Sequence, residues 1–239
     1  MMEDRGFATT AIGLSRYQME QVRPPRGVWT PFQLGRPLGE PEDRAFQRRV
    51  IMQALELLER TDGPVILEDF PDDPPGWLDR PGWTAPTGPA EHLASDPEAM
   101  GLQLDTELAA IRPSWQEAQA RYGRTTVGLS FQDPATWPGF VAEFLAGGRP
   151  VVASYRTSAL ALRYLGDDIR AMYAEAAQAA GPTPASRQID AWFWRETIAG
   201  QVLIALRNIA VTGDDAGLKT IGARFLVPTI YLPPDAPKG

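Results

Sequence analysis

Cysteine is absent from the 239 residues, and histidine occurs once, as His92. The first absence excludes a disulfide, a thiol nucleophile, iron–sulfur ligation and a thiolate zinc site within the chain. The second leaves any Ser-His-Asp triad dependent on His92, which lies in the run Pro89-Ala90-Glu91-His92. A lone loop histidine reads as a surface residue. A carboxylate-only metal site has no spacing signature here, so neither a metal nor a cofactor is expected. Long apolar runs are missing as well. The longest, Ile198 to Leu206, is broken by Gly200 and Gln201 and falls far short of a membrane span. The opening Met1-Met2-Glu3-Asp4-Arg5 is acidic and leads into no long apolar core, so a secretory signal is not expected and the cytoplasm is. Positive charge is in deficit: the net charge is −7 and the pI is near 4.9. Phosphate binding needs clustered Lys and Arg, which argues against nucleic acid and anionic membrane as partners.

What remains is an ordinary globular composition, 44% hydrophobic and 22% charged, long enough for one large domain or two small ones. Gly6 to Leu14 and Gly27 to Phe32 are β-branched or apolar and predict strands, with a short helix or turn over Ser15 to Val22 between them. Pro31 to Pro41 holds two glycines (Gly35, Gly39) and three prolines (Pro31, Pro37, Pro41) in one short connection. Arg44 to Arg60 then carries Phe46, Val50, Ala54, Leu57 and Leu58 on one helical stripe, with Asp43 placed as N-cap and Gly63 as the left-handed residue that stops it. Pro64 to Leu67 predicts a third strand, ending at Glu68 and Asp69. These units predict an α/β fold, a small and mostly parallel sheet with Rossmann- or flavodoxin-like βα units over residues 1–70. Residues 71–101 are too rich in proline for regular structure, yet carry Trp77 and Trp83, and read as an ordered strap pinned by those rings. Residues 102–239 predict a mainly helical region packed on the first. Its segments are a helix over Asp105 to Tyr122 interrupted at Pro113, one strand over Arg124 to Phe131, a helix over Asp133 to Leu145, long helices over Ser158 to Ala180 and Ser186 to Val211, a helix from an Asp214 cap to Leu226, and a frayed tail.

Three features could carry function. The turn Gly35-Arg36-Pro37-Leu38-Gly39 follows a strand and precedes a helix, the place where open α/β sheets bind ligands. It lacks the G-x-G-x-x-G spacing and the lysine of a phosphate loop, so Arg36 points to a small carboxylate or other anion. Glu68 and Asp69 at the end of the third strand would lie at the same edge, as solvated loop residues or as a carboxylate beside Arg36. Asp190 to Thr197 places Trp192 and Phe193 in the core and leaves Trp194, Arg195 and Glu196 for a groove or partner.

The run Phe32-Gln33-Leu34-Gly35-Arg36-Pro37-Leu38-Gly39-Glu40-Pro41, followed by Phe46-Gln47-Arg48-Arg49-Val50 and Ala54-Leu55-Glu56-Leu57-Leu58, resembles the C-terminal part of the glycine/sarcosine/betaine/D-proline reductase selenoprotein B family. That family has a P-L-G-x-P turn after a strand and then a charged helix ending in A-L-x-x-L. The resemblance spans roughly Gly6 to Phe70. It implies reductive C–N cleavage by a selenocysteine or cysteine upstream of the turn, with a partner subunit that carries a pyruvoyl group. No residue here can be that thiol or selenol, so no catalytic residue carries over; Gly35, Pro37, Leu38 and Gly39 match the shared turn. The expectation is therefore a non-redox subunit or half-protein of a reductase-like complex, partnered by another protein chain. The alternatives are a cysteine-independent subunit that binds a small anion or serves assembly, and a hydrolase or lyase that uses Glu68 or Asp69 as base.

Overall fold

The computed structural model describes residues 2–32, 35–73, 79–179 and 181–237. The chain resolves into two compact units, Met1–Asp79 and Arg80–Gly239. The expected roles of Gln33, Leu34, Trp77 and Ala180 fall outside the described residues.

In the first unit, β1 (Ala11–Gly13), β2 (Arg26–Trp29) and β3 (Ile66–Asp69) form a parallel sheet in the order β1-β2-β3. Ile12 sits opposite Val28, and Val28 opposite Glu68. Each crossover is a helix, α1 (Arg16–Val22) and α2 (Arg44–Glu56). β1 and β2 are shorter than the apolar runs that predict them, and β3 is as long as the Pro64 to Leu67 run but begins two residues later, so Glu68 and Asp69 lie within it. Gly6, at φ +82°, lies well outside β1. The two faces of the sheet are packed in different ways. Val28 faces the stripe of α2, in a core with Phe32, Phe46, Val50, Ala54, Leu57, Ile66 and Phe70. Phe32, Phe46 and Phe70 meet edge to face or tilted, at centroid separations of 5.5 to 5.7 Å. On the strand alternation Gly27 faces the other way, and there Met19 of α1 lies so close that a Cβ on Gly27 or Gly13 would overlap it. Asp43 caps α2 through the Phe46 N–H at 3.0 Å. Gly63 is not a left-handed stop; it is needed because a Cβ there would meet Ile66 at 2.7 Å.

The second unit is helical: α3 (Pro97–Tyr122), α4 (Trp137–Leu145), α5 (Ser158–Ala176), α6 (Ser186–Glu196), α7 (Ile198–Thr212) and α8 (Ala216–Ile221) surround one core that includes Leu108, Trp137, Ile169, Tyr173, Trp192 and Leu203. Several expectations are corrected here. α3 runs through Pro113 unbroken, because Pro113 and Ala109, whose carbonyl loses its donor, both lie on the exposed face. Arg124 to Phe131 is not a strand. Its backbone N–H groups go to carboxylates of α5 instead of a neighbouring strand. Thr126 N–H donates to Glu175, and Gly128, Leu129 and Ser130 N–H donate to Asp168. The long Ser186 to Val211 helix is two helices, separated at Thr197, whose hydroxyl accepts from Gly200 N–H and donates to the Phe193 carbonyl. The cap of α8 is Asp215, not Asp214. The tail is not frayed as far as Pro237. Tyr231 stacks on Trp194 at 5.9 Å, and the Arg207 guanidinium donates to the Pro237 carbonyl at 2.5 Å.

The strap divides between the units. Its second part, from Arg80, is pinned to the helices. Trp83 donates its indole N–H to the Ala177 carbonyl at 3.0 Å and packs edge-on against Trp192. Glutamines supply the partners that an extended, proline-rich backbone lacks. Gln188 accepts from Arg80 N–H, Gln201 from Leu93 N–H and Gln103 from Ala94 N–H.

Candidate functional site

The carboxyl ends of the three strands bring together the Ser15 cap of α1, the turn at 35–41 and Asp69. Two turn glycines occupy the left-handed region, Gly35 at φ +90° and Gly39 at φ +89°, which explains both in physical terms. Gly39 N–H closes on the Arg36 carbonyl at 3.0 Å, and Gln47 of α2 donates to the Glu40 carbonyl at 2.8 Å. Leu38 packs on the first core and so anchors the turn, while Arg36 and Pro37 remain exposed. The Arg36 guanidinium bonds to Glu40 at 3.0 Å. Beneath, Thr30 is wholly buried at the end of β2, and its hydroxyl has no partner among the described residues.

The structure separates the two carboxylates that the sequence places together. Asp69 stays at the carboxyl edge, where Arg16 Nε reaches both of its oxygens at 3.1 and 3.3 Å across the central strand. Glu68 is drawn into a different cluster. Arg60, which precedes β3, bonds Glu68 at 2.7 Å and Asp62 at 2.5 to 2.6 Å, and its own carbonyl accepts from Arg26 at the start of β2. Hydrogen bonds from Arg60 hold the Asp62 carboxyl down at about 2. No ion pair joins Arg36 to Glu68 or Asp69 among the described residues; each acid has its own arginine. The strands also run in chain order without reversal, so these three form no switch point and none of the crevice that accompanies one. Among the described residues, the edge offers an exposed turn with both glycines in the left-handed region. That suits contact with another surface, or an anion at Arg36, better than enclosure of a substrate.

Three charged side chains that the sequence reading passed over are buried in the second unit: Glu107, Asp168 and Arg207. The signal was present. Each sits on its helix's apolar stripe, Glu107 between Leu104 and Ile111, Asp168 between Leu165 and Met172, Arg207 between Leu203 and Ala210. Glu107 accepts from Ile198 N–H at 2.7 Å, Ala199 N–H at 2.9 Å and the Tyr173 hydroxyl at 2.6 Å, and so caps α7 from a distance. Burial and then the Glu107 charge push the Tyr173 hydroxyl well above its usual range. For Glu175, burial raises the carboxyl, but hydrogen bonds from Thr126, Thr125 and Trp115 outweigh it and hold the carboxyl low. These are tie points of the fold. Two cavities of about 290 and 310 Å³ open on either side of Ala171 and Ala174 of α5, the first beside Tyr122 and Arg124, the second beside Asp190, Phe193 and Trp194. Burial raises the Asp190 carboxyl at the second, and Arg170 lowers it in part. His92 is exposed, and among the described residues its carbonyl alone is engaged, by Gln103.

No group of three or more acidic or histidine side chains is placed to hold a metal ion among the described residues, and no described helix is long and apolar enough to cross a membrane. No family model, curated protein or solved structure matches the chain.

Proposed function

We propose that the chain is a non-redox subunit of a reductase-like complex of the selenoprotein B kind, with the reactive thiol or selenol supplied by another chain in the cytoplasm. One observation carries this reading. The P-L-G turn, on which the resemblance rests, is held in a fixed left-handed geometry at the carboxyl edge of a parallel sheet, with Arg36 outward. A turn so fixed can form one wall of a site completed by a partner. Purification from the source without reductant, followed by alkylation and mass spectrometry, tests it. The expected result is a stoichiometric partner with an alkylated cysteine or selenocysteine, and a complex that Arg36→Ala weakens at least tenfold without loss of the fold. A lone homo-oligomer, or a partner with no reactive thiol or selenol, overturns the reading. The exposed Arg36, tied among the described residues to Glu40 alone, favours a second one, a subunit that binds a small carboxylate. Calorimetric titration with acetate and glycine would show saturable heat that Arg36→Ala removes.

A further inference from the structure

The loop from Gly128 to Phe131 is tied to the fold through its backbone but carries an exposed ring on strained backbone. Asp168, wholly buried, accepts from three successive backbone N–H groups (Gly128, Leu129, Ser130) and from the Ser130 hydroxyl, all between 2.6 and 2.9 Å. The Tyr155 hydroxyl also donates to the Leu129 carbonyl. So tied, the loop turns Phe131 and Leu129 outward, 69% and 50% exposed. Phe131 sits at φ +55°, in the left-handed region where a bulky side chain is an outlier and glycine would be at ease. The backbone strain opposes folding, and a ring left 69% exposed gains little from burial within the chain to offset it. Strain of this kind, locked by surrounding bonds, points to a use outside the chain.

Phe131 also begins a continuous surface ribbon. Its ring lies 5.8 Å from Tyr155, Tyr155 stacks on Tyr164 at 4.8 Å, and the Arg163 guanidinium covers Phe225 at 3.9 Å while also facing Tyr164. Tyr155, Arg163 and Tyr164 are half-buried, and Phe131 and Phe225 are exposed at the ribbon's ends. Aromatic and arginine side chains so grouped are the composition of protein interfaces, and Tyr and Arg are its frequent anchors. Charge selects the partner. From Phe144 to Gly166 the sequence has Arg149, Arg156 and Arg163 and no acidic residue, although Arg163 pairs with the following Asp167 at 3.6 Å. Arg156, next to Tyr155, and Arg224, next to Phe225, have no ion-pair partner among the described residues. A second copy bound face to face would set these arginines against themselves. A chain of net charge −7, with Asp133 beside Phe131, is a poor match for an anionic bilayer. We propose that this ribbon docks a partner protein whose face combines carboxylates with an apolar pocket for Phe131.

The inference rests on the second unit alone and stands or falls apart from the Arg36 turn. The test places a benzophenone amino acid at position 131 of the full chain, cross-links in a source extract, and purifies the captured protein for titration. Expected is an acidic partner whose affinity falls as salt rises. The affinity should drop at least tenfold with Phe131→Gly and with Arg156→Glu. Phe131→Gly should melt no lower than the parent, because glycine relieves the left-handed strain, and a merely structural role for Phe131 would give the opposite result. Binding unchanged within twofold in either variant overturns the proposal. So does the absence of any adduct, an adduct of the chain with itself that tracks a concentration-dependent dimer in sedimentation, or co-sedimentation with phosphatidylglycerol vesicles that Phe131→Gly abolishes.

Discussion

Glu107→Gln isolates the contribution of one buried carboxylate to the helical unit. Glu107 Oε2 accepts from Ile198 N–H, and Oε1 from Ala199 N–H and the Tyr173 hydroxyl. An amide can present only one oxygen. If it faces Ala199 and Tyr173, the NH₂ meets Ile198 N–H, donor against donor. If it faces Ile198, Ala199 N–H is orphaned while the Tyr173 hydroxyl can rotate to accept. Either way one buried backbone donor loses its partner, a cost of about 1–3 kcal/mol. Loss of the negative charge at the α7 N-terminus adds about 0.3–1 kcal/mol. The sum, roughly 1–4 kcal/mol, is a large part of a domain's net stability and corresponds to a fall in Tm of about 3–15 °C for a unit of this size. Calorimetry reads the shift directly, and near-UV ellipticity from Trp192, Phe193 and Trp194 reports whether α6 and α7 keep their packing. A variant that melts within about 2 °C of the parent refutes the account, for it would show that the α7 N-terminus finds other acceptors when the charge is gone.

The same cluster makes an alkaline prediction. Burial and Glu107 raise the Tyr173 pKa above its usual 10, so the folded state holds a proton that the unfolded chain releases. The stabilisation is full below pH 10 and is lost as pH rises through the folded value. Urea midpoints should fall above pH 10 and fall less steeply in Tyr173→Phe; Tyr155 and Tyr231, also raised by burial, keep the slope from vanishing. Parallel slopes in parent and variant would sink the assignment. Gly200→Ala tests the α6–α7 corner. Its Cβ would lie 2.2 Å from the Phe193 carbonyl oxygen and 3.0 Å from the Trp194 Cα, backbone atoms that cannot swing aside. Overpacking of this kind costs about 1–3 kcal/mol, and an unchanged urea midpoint would show that the corner opens freely.

Some of this fold could be read from the chain because a local rule and the packing agree. The α2 stripe of Phe46, Val50 and Ala54 faces the sheet, and its Asp43 cap bonds as the sequence suggests. Elsewhere local rules meet a distant partner. Thr125-Thr126-Val127 has the composition of a strand, but Glu175 is fifty residues from Thr125, and no sequence window shows that it will take the backbone donors. The corner at Thr197 holds no proline, and its Gly200 lies inside an apolar helical run; the break is made by a threonine hydroxyl and by Glu107, on a helix ninety-one residues from Ile198. At the turn, sequence correctly placed Gly35, Arg36, Pro37, Leu38 and Gly39 at a strand's carboxyl end. Glu68 and Asp69 are adjacent in sequence, yet side chains alternate along a strand, so Arg60 takes one and Arg16 the other.

Charge shows the same difference between a count and a place. A net −7 describes the whole chain, but Asp168 and Glu107 are inside it, where they hold backbone N–H groups rather than present a field to solvent. Glu175, partly buried, bonds four donors from Trp115, Thr125 and Thr126. Arg207 is buried as well, so among the described residues the interior takes only one net negative charge from the surface. Asp168 is the link between interior and surface, since the carboxylate that fixes the Gly128–Ser130 backbone also fixes where Phe131 points. The buried carboxylate and the exposed ring are therefore two ends of one arrangement, in which Asp168 takes the backbone donors that a neighbouring strand would otherwise take and so presents Phe131 to the outside.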